Sequence, residues 1–517
     1  MKKKLIAMGL VVIMLSVMVP ATAFGGTIGT TITVNPPSSG SLSLSAGDFK
    51  AYKLFDLTVS GSGSSKNYAY TPVSAVAGFV AEYSDYGPSL KTYLESGSAD
   101  MYALTKDLMA YNVAHPGAFS AVSATQSGDS VKFDSLDLGY YLVVGSGKAP
   151  ANADVIAHCA LVTVDAAGAD FAVDLKADAP SITKQVWNHN LSGSDKWDDY
   201  TDINMGTVAD FRLISKVPDY THYKSYTFTV HDTMSAGLTF DKSSVAITVG
   251  GVKFDDFSVV TAVDNPAVAP DSFIIAFDSD VFVTLTKGAD IVITYSAELN
   301  KAAVIGSPGN PNVASLEFSN NPYTTTAKNG QTHGSGGSTK KTPDTEVIVY
   351  TFDLSILKVD GNGGAPLEGA QFKICDANGE FMVLVDLTGG NYRLADSTDS
   401  TTTTILTSPA TGLIHIDGLD AGVYHLTETQ APDGYNLLTA PIDALITHIA
   451  ETSGAHIGEY RGSYTAPQIR VENNAGGILP STGGIGTTIF YLVGIILTAV
   501  LAIYFVASRK RNVLRAK

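Results

Sequence analysis

The sequence predicts an all-β protein made of tandem β-sandwich domains, the first of which carries a small helical insert. Three observations lead to this fold class. The chain is rich in Thr, Val, Ser, Gly and Tyr, its apolar residues come in short alternating runs, and turn residues interrupt those runs about every ten positions, as in strand-rich domains. At 517 residues, the chain is also too long for one sandwich, so two or three domains are expected.

The two ends of the chain have the patterns of an exported, membrane-tethered protein. Lys2, Lys3 and Lys4 precede an apolar stretch and the small-residue site Ala21–Ala23, which is the order of a secretory signal peptide over residues 1–23. An uncleaved N-terminal anchor is the less favoured alternative, because the apolar stretch is short. Residues 485–507 form an apolar run long enough to cross a bilayer as a helix, and the basic residues at 509–511 predict a cytoplasmic tail.

Composition excludes several classes of function. A formal net charge of −17 gives a surface that repels nucleic acid and suits a soluble exported region. The only two cysteines, Cys159 and Cys375, lie in different predicted domains and are expected to be free thiols. We find no HExxH or GxSxG motif in the sequence, and the ten histidines are scattered, so we predict no hydrolase activity, no metal site and no cofactor.

The pattern changes at three places, and these give the domain boundaries. Residues 24–178 form the first domain, in which Met101, Leu104, Leu108 and Tyr111 recur at helical spacing behind a capping residue at Ser98 or Asp100. Residues 179–345 form the second domain and end in a Gly/Ser/Thr-rich linker. Residues 346–475 form the third domain, and residues 476–517 form the terminal segment.

In the third domain, three strands each place one polar residue on the inward face. In "FDLSILK", Lys358 shares its face with apolar residues; Glu428 does so in "YHLTE" and Asn473 in "IRVEN", because residues two apart lie on the same side of a strand. The second domain repeats the order Lys, acid, Asn with Lys184, Asp232 and Asn320. Each residue alone would more often be a strand-end residue that reaches solvent.

The second domain offers a rival acid, and the first domain offers a further lysine. Glu298 in "ITYSAELN" lies on the opposite face from Tyr295 and its apolar neighbours, so strand parity favours Asp232. His231 is adjacent to Asp232 but faces the other way. In the first domain, Lys53 lies on an apolar face, but its terminal strand "FAVDL" carries no Asn, so we predict no cross-link there.

Buried together, a lysine, an acid and an asparagine can react. Desolvation disfavours the charged forms of the lysine and the acid, and rigid positioning replaces the concentration that such a reaction needs in solution. The neutral amine can then attack the Asn amide, polarised by the protonated acid, to give an isopeptide bond and ammonia. The alternative is a buried salt bridge hydrogen-bonded to Asn, with no covalent product.

Several motifs resemble those of a known family. "YHLTETQAPDGY" and "PLEGAQFKI" resemble the signatures of Cna protein B-type domains in Gram-positive pilins. "HDTMSAGLTF", "ITYSAELN" and "LEFSNNPY" are similar to the A-type domain of fimbrial backbone proteins, and "LPSTGG" followed by an apolar helix and a basic tail matches an LPxTG sorting signal. The resemblance covers residues 179–517 and implies immunoglobulin-like sandwich domains.

The resemblance implies a function and the residues that serve it. Lys358 would bond to Asn473 with help from Glu428, and Lys184 to Asn320 with help from Asp232. A sortase would attack the carbonyl of Thr482 and release the chain from Gly483 onward, within the motif Leu479, Pro480, Ser481, Thr482 and Gly483. The lysine that accepts the next subunit would be Lys176 in "FAVDLKADAP"; an ordinary surface lysine is the alternative, since the Tyr-Pro of the family motif is absent.

The expected protein is therefore a structural major subunit of a cell-wall-anchored pilus and not an enzyme. Its implied partners are sortase, other pilin subunits, peptidoglycan and a host surface ligand. The alternative function is a monomeric cell-wall-anchored adhesin, which would form no covalent polymer.

Overall fold

The computed structural model describes residues 29–37, 40–61, 65–149, 154–156, 160–175, 178–221, 223, 225–321, 338–447, 467–476 and 485–514. The chain is mostly β, as the sequence predicts. The predicted signal peptide, Cys159, Lys176 and the LPSTG motif lie outside the described residues.

The first domain consists of three sheets with a helical layer on one of them. The sheets have the strand orders β12-β1-β7-β6, β10-β9-β2 and β11-β8-β3-β4, with β5 paired to β3. The strands are β1 (Thr31–Asn35), β2 (Ser43–Leu44), β3 (Lys50–Ser60), β4 (Asn67–Pro72), β5 (Ala121–Ser123), β6 (Thr125–Ser127), β7 (Ser130–Phe133), β8 (Gly139–Val144), β9 (Ser146–Lys148), β10 (Asp154–Ile156), β11 (Ala160–Val164) and β12 (Asp170–Asp174).

The helical layer comprises α1 (Ser74–Glu82), α2 (Leu90–Glu95) and α3 (Met101–Ala114). Helix α3 is the helix that the spacing predicts. Asp100 caps it by accepting a hydrogen bond from the Ala103 N–H at 3.0 Å, which satisfies one of the unpaired amides of the first turn. Leu104 and Leu108 are buried in a core cluster shared with β3 and β8.

The second domain is a sandwich of two sheets. One has the order β14-β13-β16-β22-β18-β19, and the other has the order β15-β25-β23-β17-β21-β20 with β24 paired to β23. The elements are β13 (Thr183–Trp187), β14 (Trp197–Asp198), β15 (Tyr200–Asp202), β16 (Val208–Lys216), β17 (Phe228–Met234), β18 (Leu238–Val249), β19 (Val252–Phe254), β20 (Phe257–Thr261), β21 (Phe273–Phe277), α4 (Ser279–Phe282), β22 (Asp290–Leu299), β23 (Asn310–Ser319), β24 (Thr339–Lys341) and β25 (Thr345–Tyr350).

The third domain is a smaller sandwich with its own core cluster. Its sheets have the orders β28-β29-β31-β26-β34 and β30-β27-β32-β33. The strands are β26 (Phe352–Asp360), β27 (Gln371–Asp376), β28 (Leu384–Asp386), β29 (Asn391–Leu394), β30 (Leu406–Thr407), β31 (Leu413–Leu419), β32 (Gly422–Gln430), β33 (Ile442–Ile446) and β34 (Gln468–Asn473).

The boundary between the second and third domains differs from the predicted one at 346. Strand β25 pairs with β23 and β15 in the second domain, and the first strand of the third domain begins at Phe352. The run "TEVIVYTFDLSILK" has no Gly, Pro or Asn to mark a boundary, but the chain passes from one sandwich to the next at Thr351. The boundary therefore falls about five residues later than the composition shift suggested.

The second and third domains are joined by hydrogen bonds as well as by the chain. The Met205 N–H donates to the Gly418 carbonyl at 2.8 Å, and the Met205 side chain lies in the core cluster of the third domain. Glu298, the rival acid in the sequence, accepts from the Ser397 N–H at 2.7 Å. Glu298 therefore faces away from the core, as parity predicts, and its carboxylate helps to join the two domains.

Helix α5 (Ile485–Leu514) follows the third domain. Its segment Ile489–Val506 has a mean hydropathy of 2.6 and none of it is buried against the protein, so it is long and apolar enough to cross a membrane. The helix begins at the residue where the predicted span begins and continues through the basic residues into the tail.

Candidate functional site

The candidate site of the second domain lies between its two sheets. Lys184 on β13 belongs to one sheet, and Asp232 on β17 belongs to the other. The Lys184 Nζ donates to Asp232 Oδ2 at 2.6 Å and to Asn312 Oδ1 at 2.6 Å. All three residues are at most 1% exposed, so the group is a desolvated lysine, acid and amide in direct contact.

The asparagine in this group is Asn312, and the prediction of Asn320 is wrong. Asn310, Asn312 and Asn320 all have buried side chains on one face of β23 or just beyond it, so parity cannot distinguish them. Eight residues of strand place Asn320 about 26 Å from Asn312. Its Nδ2 donates instead to the Asp154 carbonyl of the first domain at 2.6 Å.

Tyr295 on β22 is a fourth member that the sequence analysis missed. Its hydroxyl donates to Asp232 Oδ2 at 2.6 Å and accepts from Asn312 Nδ2 at 3.2 Å. The Lys184 Nζ also lies 5.5 Å from the Tyr295 ring centroid, and that ring stacks on Phe211 at 5.4 Å. The sequence did show that Tyr295 lies on the inward face of β22. It did not show that Tyr295 lies level with Asp232 and Asn312, because that depends on how the two sheets are aligned.

Burial shifts both titratable partners toward their neutral forms. Desolvation lowers the pKa of Lys184 to about 8, against the opposing charge of Asp232. Desolvation also raises the pKa of Asp232, against its hydrogen bonds to Lys184 and Tyr295. The hydrogen bond between them lets the proton pass from the amine to the carboxylate without solvent. The site can thus hold a neutral amine against an amide carbonyl.

The site of the third domain brings together the three residues that parity selects there. Lys358, Glu428 and Asn473 are at most 4% exposed. The Asn473 Nδ2 donates to Glu428 Oε2 at 2.9 Å, and the Lys358 Nζ donates to the Val471 carbonyl at 3.2 Å. Strands β26 and β34 are parallel neighbours with Lys358 opposite Val471, so the lysine lies two residues from Asn473 along the paired strand.

The loop after β32 encloses this second group. The Leu438 N–H donates to Glu428 Oε2 at 2.8 Å, and Asn473 Nδ2 donates to the Asn436 carbonyl at 2.6 Å. This loop begins with the "APDGY" part of the quoted motif, and the contacting residues Asn436 and Leu438 follow that part. Burial lowers the pKa of Lys358, against the charges of Glu428 and Glu472.

His231 lies on the outer face of β17, behind Asp232. Its Nδ1 is 2.6 Å from Asp271 Oδ2, and its Nε2 is 2.9 Å from Glu317 Oε2. Burial acts to lower the pKa of His231, but the hydrogen bonds to Glu317 and Asp271 outweigh it and raise the pKa above its usual value. His231 therefore ties neighbouring strands together and stays outside the buried group, as parity predicts.

Lys53 of the first domain has a different environment from these lysines. Its Nζ donates to Asp56 Oδ1 at 2.8 Å, and its side chain is 20% exposed. Its neighbours are acids, Asp56 and Asp137.

Comparisons with known proteins agree with the fold. Residues 352–456 match the SpaA family of prealbumin-like fold domains. The chain is 26% identical over 326 residues to the trypsin-resistant surface T6 protein of Streptococcus pyogenes serotype M6, a match that covers 62% of this chain and 54% of that protein.

Two of the solved structures that resemble this chain are pilins. The T6 backbone pilin of serotype M6 Streptococcus pyogenes, described as a modular three-domain structure, aligns with a TM-score of 0.51 at 19% identity and covers 82% of this chain and 81% of its own. The full-length major pilin SpaD from Corynebacterium diphtheriae aligns with a TM-score of 0.49 at 19% identity, over 87% of this chain and 97% of its own.

The fold and the buried groups define a class of protein, namely tandem β-sandwich chains in which a lysine, an acid and an asparagine are buried close together inside a domain. Within this class, the chain is similar in sequence to the trypsin-resistant surface T6 protein and in fold to the T6 backbone pilin of Streptococcus pyogenes.

Proposed function

We propose that the chain is the backbone subunit of a covalently polymerised, cell-wall-anchored pilus, stabilised by internal isopeptide bonds. The observation that carries the proposal is the buried contact of Lys184 Nζ with Asp232 and Asn312, each at 2.6 Å. Burying a lysine and an acid costs desolvation free energy that their attraction seldom offsets. A stabilising role for this group is therefore better explained by a covalent product than by the ion pair alone. The three-domain arrangement and the relatedness to backbone pilins support the same conclusion.

In the second domain, the Lys184 Nζ forms a bond to the amide carbon of Asn312. Asp232 first takes the proton of the ammonium group, so that a neutral amine attacks, and it then hydrogen-bonds the developing oxyanion. The bond from that carbon to Nδ2 breaks, and Nδ2 leaves as ammonia with a proton that came from the amine. No oxidant or cofactor is needed, and each chain reacts once.

In the third domain, Lys358 and Asn473 react in the same way, with Glu428 as the assisting acid. Glu428 Oε2 already binds the Asn473 amide group, which fixes the electrophile. The lysine must move from the Val471 carbonyl, its present partner, to the amide carbon two residues further along β34. The bond would join the first and last strands of that sandwich.

These bonds suit a fibre under tension. Force applied at the ends of a sandwich separates its terminal strands by breaking ladder hydrogen bonds, each of which contributes only about 1 kcal/mol net. A covalent bond between strands bypasses that ladder. In the second domain the bond would connect the two sheets, and in the third it would connect adjacent parallel strands.

Assembly would use the C-terminal segment. Helix α5 would hold the exported chain at the membrane while a sortase attacks the Thr482 carbonyl and releases Gly483 onward. The acyl group would pass to Lys176 of another subunit, or finally to peptidoglycan. A binding partner on a host surface would be recognised by the assembled fibre.

Polymer formation tests this function. The chain is produced in a Gram-positive host with a pilin sortase, and wall extracts are boiled in detergent and immunoblotted. A ladder of multimers that Thr482→Ala abolishes is expected, and Lys176→Ala should abolish it too if Lys176 is the acceptor. Single bands from the wild-type chain would contradict the proposal and favour the monomeric adhesin.

A further inference from the structure

Three side chains that can bind a metal ion meet on the outer face of the third domain. Asp353 lies on β26, and His415 and Asp417 lie on β31. Asp353 is directly opposite Asp417 in the antiparallel register, and Ser355 is opposite His415. Each of the two aspartates and the histidine offers one ligand atom, and these three atoms all lie within 4.8 Å of one another.

Ser355 contacts one ring nitrogen of His415, which leaves the other nitrogen as the ligand atom. The Nδ1 of His415 is 3.0 Å from Ser355 Oγ, and its Nε2 is 2.9 Å from Asp417 Oδ1. A hydrogen bond at the second ring nitrogen is typical of metal-binding histidines, because it fixes the orientation of the ring. A tetrahedral Zn²⁺ with bonds of about 2.1 Å keeps its ligand atoms about 3.4 Å apart. Small rotations of the three side chains would therefore bring them to coordination distance.

The charges at this position also favour a cation. Like charges directly opposite each other on paired strands are unfavourable, and Asp353 and Asp417 are such a pair. Arg393 lies opposite Asp417 on β29, but its guanidinium donates to both oxygens of Asp399 at 2.6 Å. A divalent ion between the two aspartates would offset their repulsion.

The cluster is reachable from solvent without being fully exposed. The side chains of Asp353, His415 and Asp417 are 13%, 33% and 32% exposed. An ion can enter, keep water at its open positions, and be held against partly buried ligands. Asn391 and Gln468, the register neighbours of His415 and Ser355 on the flanking strands, add no charge.

We propose that Asp353, His415 and Asp417 form a binding site for a divalent transition-metal ion, with Zn²⁺ as the probe ion. Nitrogen and carboxylate ligands together suit Zn²⁺ and its neighbours better than Ca²⁺ or Mg²⁺. The bound ion would link β26 to β31, because its ligands come from both strands. Because β26 also carries Lys358, that strand would be held by the ion on one side and by β34 on the other.

Zinc binding to the full-length chain, purified in detergent and freed of metal, tests the proposal. Equilibrium dialysis with elemental analysis at neutral pH compares the wild type with His415→Ala and Asp353→Asn. The matched control is His425→Ala, since His425 pairs with one carboxylate, Asp443, at 2.7 Å on the other sheet. Calorimetry without metal verifies that each variant is folded, and Asp353→Asn retains the histidine if His415→Ala does not fold.

We expect one Zn²⁺ per chain in the wild type and in His425→Ala, with affinity lower by about tenfold or more in both site variants. The added ion should also raise the melting temperature of the wild type and not that of His415→Ala, because a ligand that binds only the folded state stabilises it. Equal binding by all four proteins, or no binding by the wild type, would overturn the proposal.

Discussion

Replacing Asn312 with leucine removes the electrophile of the second domain and leaves its Lys184–Asp232 ion pair in place. Leucine has a similar volume and cannot react, so the domain should fold without its internal bond. Lys184 and Asn312 are 128 residues apart. In the chain-entropy treatment of cross-links, closing a loop of that length stabilises the folded state by about 5 kcal/mol.

That loss should be visible by calorimetry. For a domain of this size, 1 kcal/mol corresponds to roughly 2–4 °C, so Asn312→Leu should lower the melting temperature of the second domain by about 10–20 °C. Loss of the Asn312 hydrogen bonds alone would cost only about 1–3 kcal/mol. The size of the decrease in melting temperature therefore distinguishes a covalent Lys184–Asn312 bond from a group of three residues joined only by hydrogen bonds.

The matched control is Asn320→Leu, at the asparagine that the sequence pattern selected. Asn320 bonds to the first domain and is too far from Lys184 to react. It should retain the cross-link and lose only one hydrogen bond between domains. A small shift for Asn312→Leu, or a cross-link lost in Asn320→Leu, would refute the assignment of Asn312.

Three further perturbations follow from the structure. Glu428→Gln should leave the Lys358 peptide unlinked and lower the melting temperature of the third domain; a linked peptide from this variant would show that the acid is dispensable. The raised pKa of His231 means that its contribution to stability is fully present below about pH 6.5, the unfolded value, and is lost as pH rises through the folded pKa. Melting temperatures of wild type and His231→Gln should therefore converge toward alkaline pH, and a constant difference would exclude the linkage. Gly206→Ala should destabilise the domain junction by about 1–3 kcal/mol, since Gly206 has φ +80° and a Cβ there would meet the Ala395 carbonyl; unchanged melting would contradict this.

Strand parity predicted much of the site because it depends on local geometry alone. It selected Lys184, Asp232, Lys358, Glu428 and Asn473, and the side chains of all five are buried. Parity fails where several residues of one strand share a face. Which asparagine of β23 meets Lys184 is decided by the offset between two facing sheets, and this offset is not encoded in any local pattern.

The same limit explains the other differences. Tyr295 joins the group through cross-sheet packing, although its inward face was visible in the sequence. The assignment of β25 to the third domain failed because residues 345–358 contain no Gly, Pro or Asn that would mark where the chain changes sheets. The Asp353–His415–Asp417 cluster was missed because its members lie on two strands whose register only the fold defines.

Peptide mapping of the full-length wild-type chain by tandem mass spectrometry tests the central claim most directly. The account predicts a peptide containing Lys184 joined to one containing Asn312, and a peptide containing Lys358 joined to one containing Asn473, each lighter than its two parts by one ammonia. Recovery of all four residues in separate peptides, with both asparagine amides intact, would contradict it.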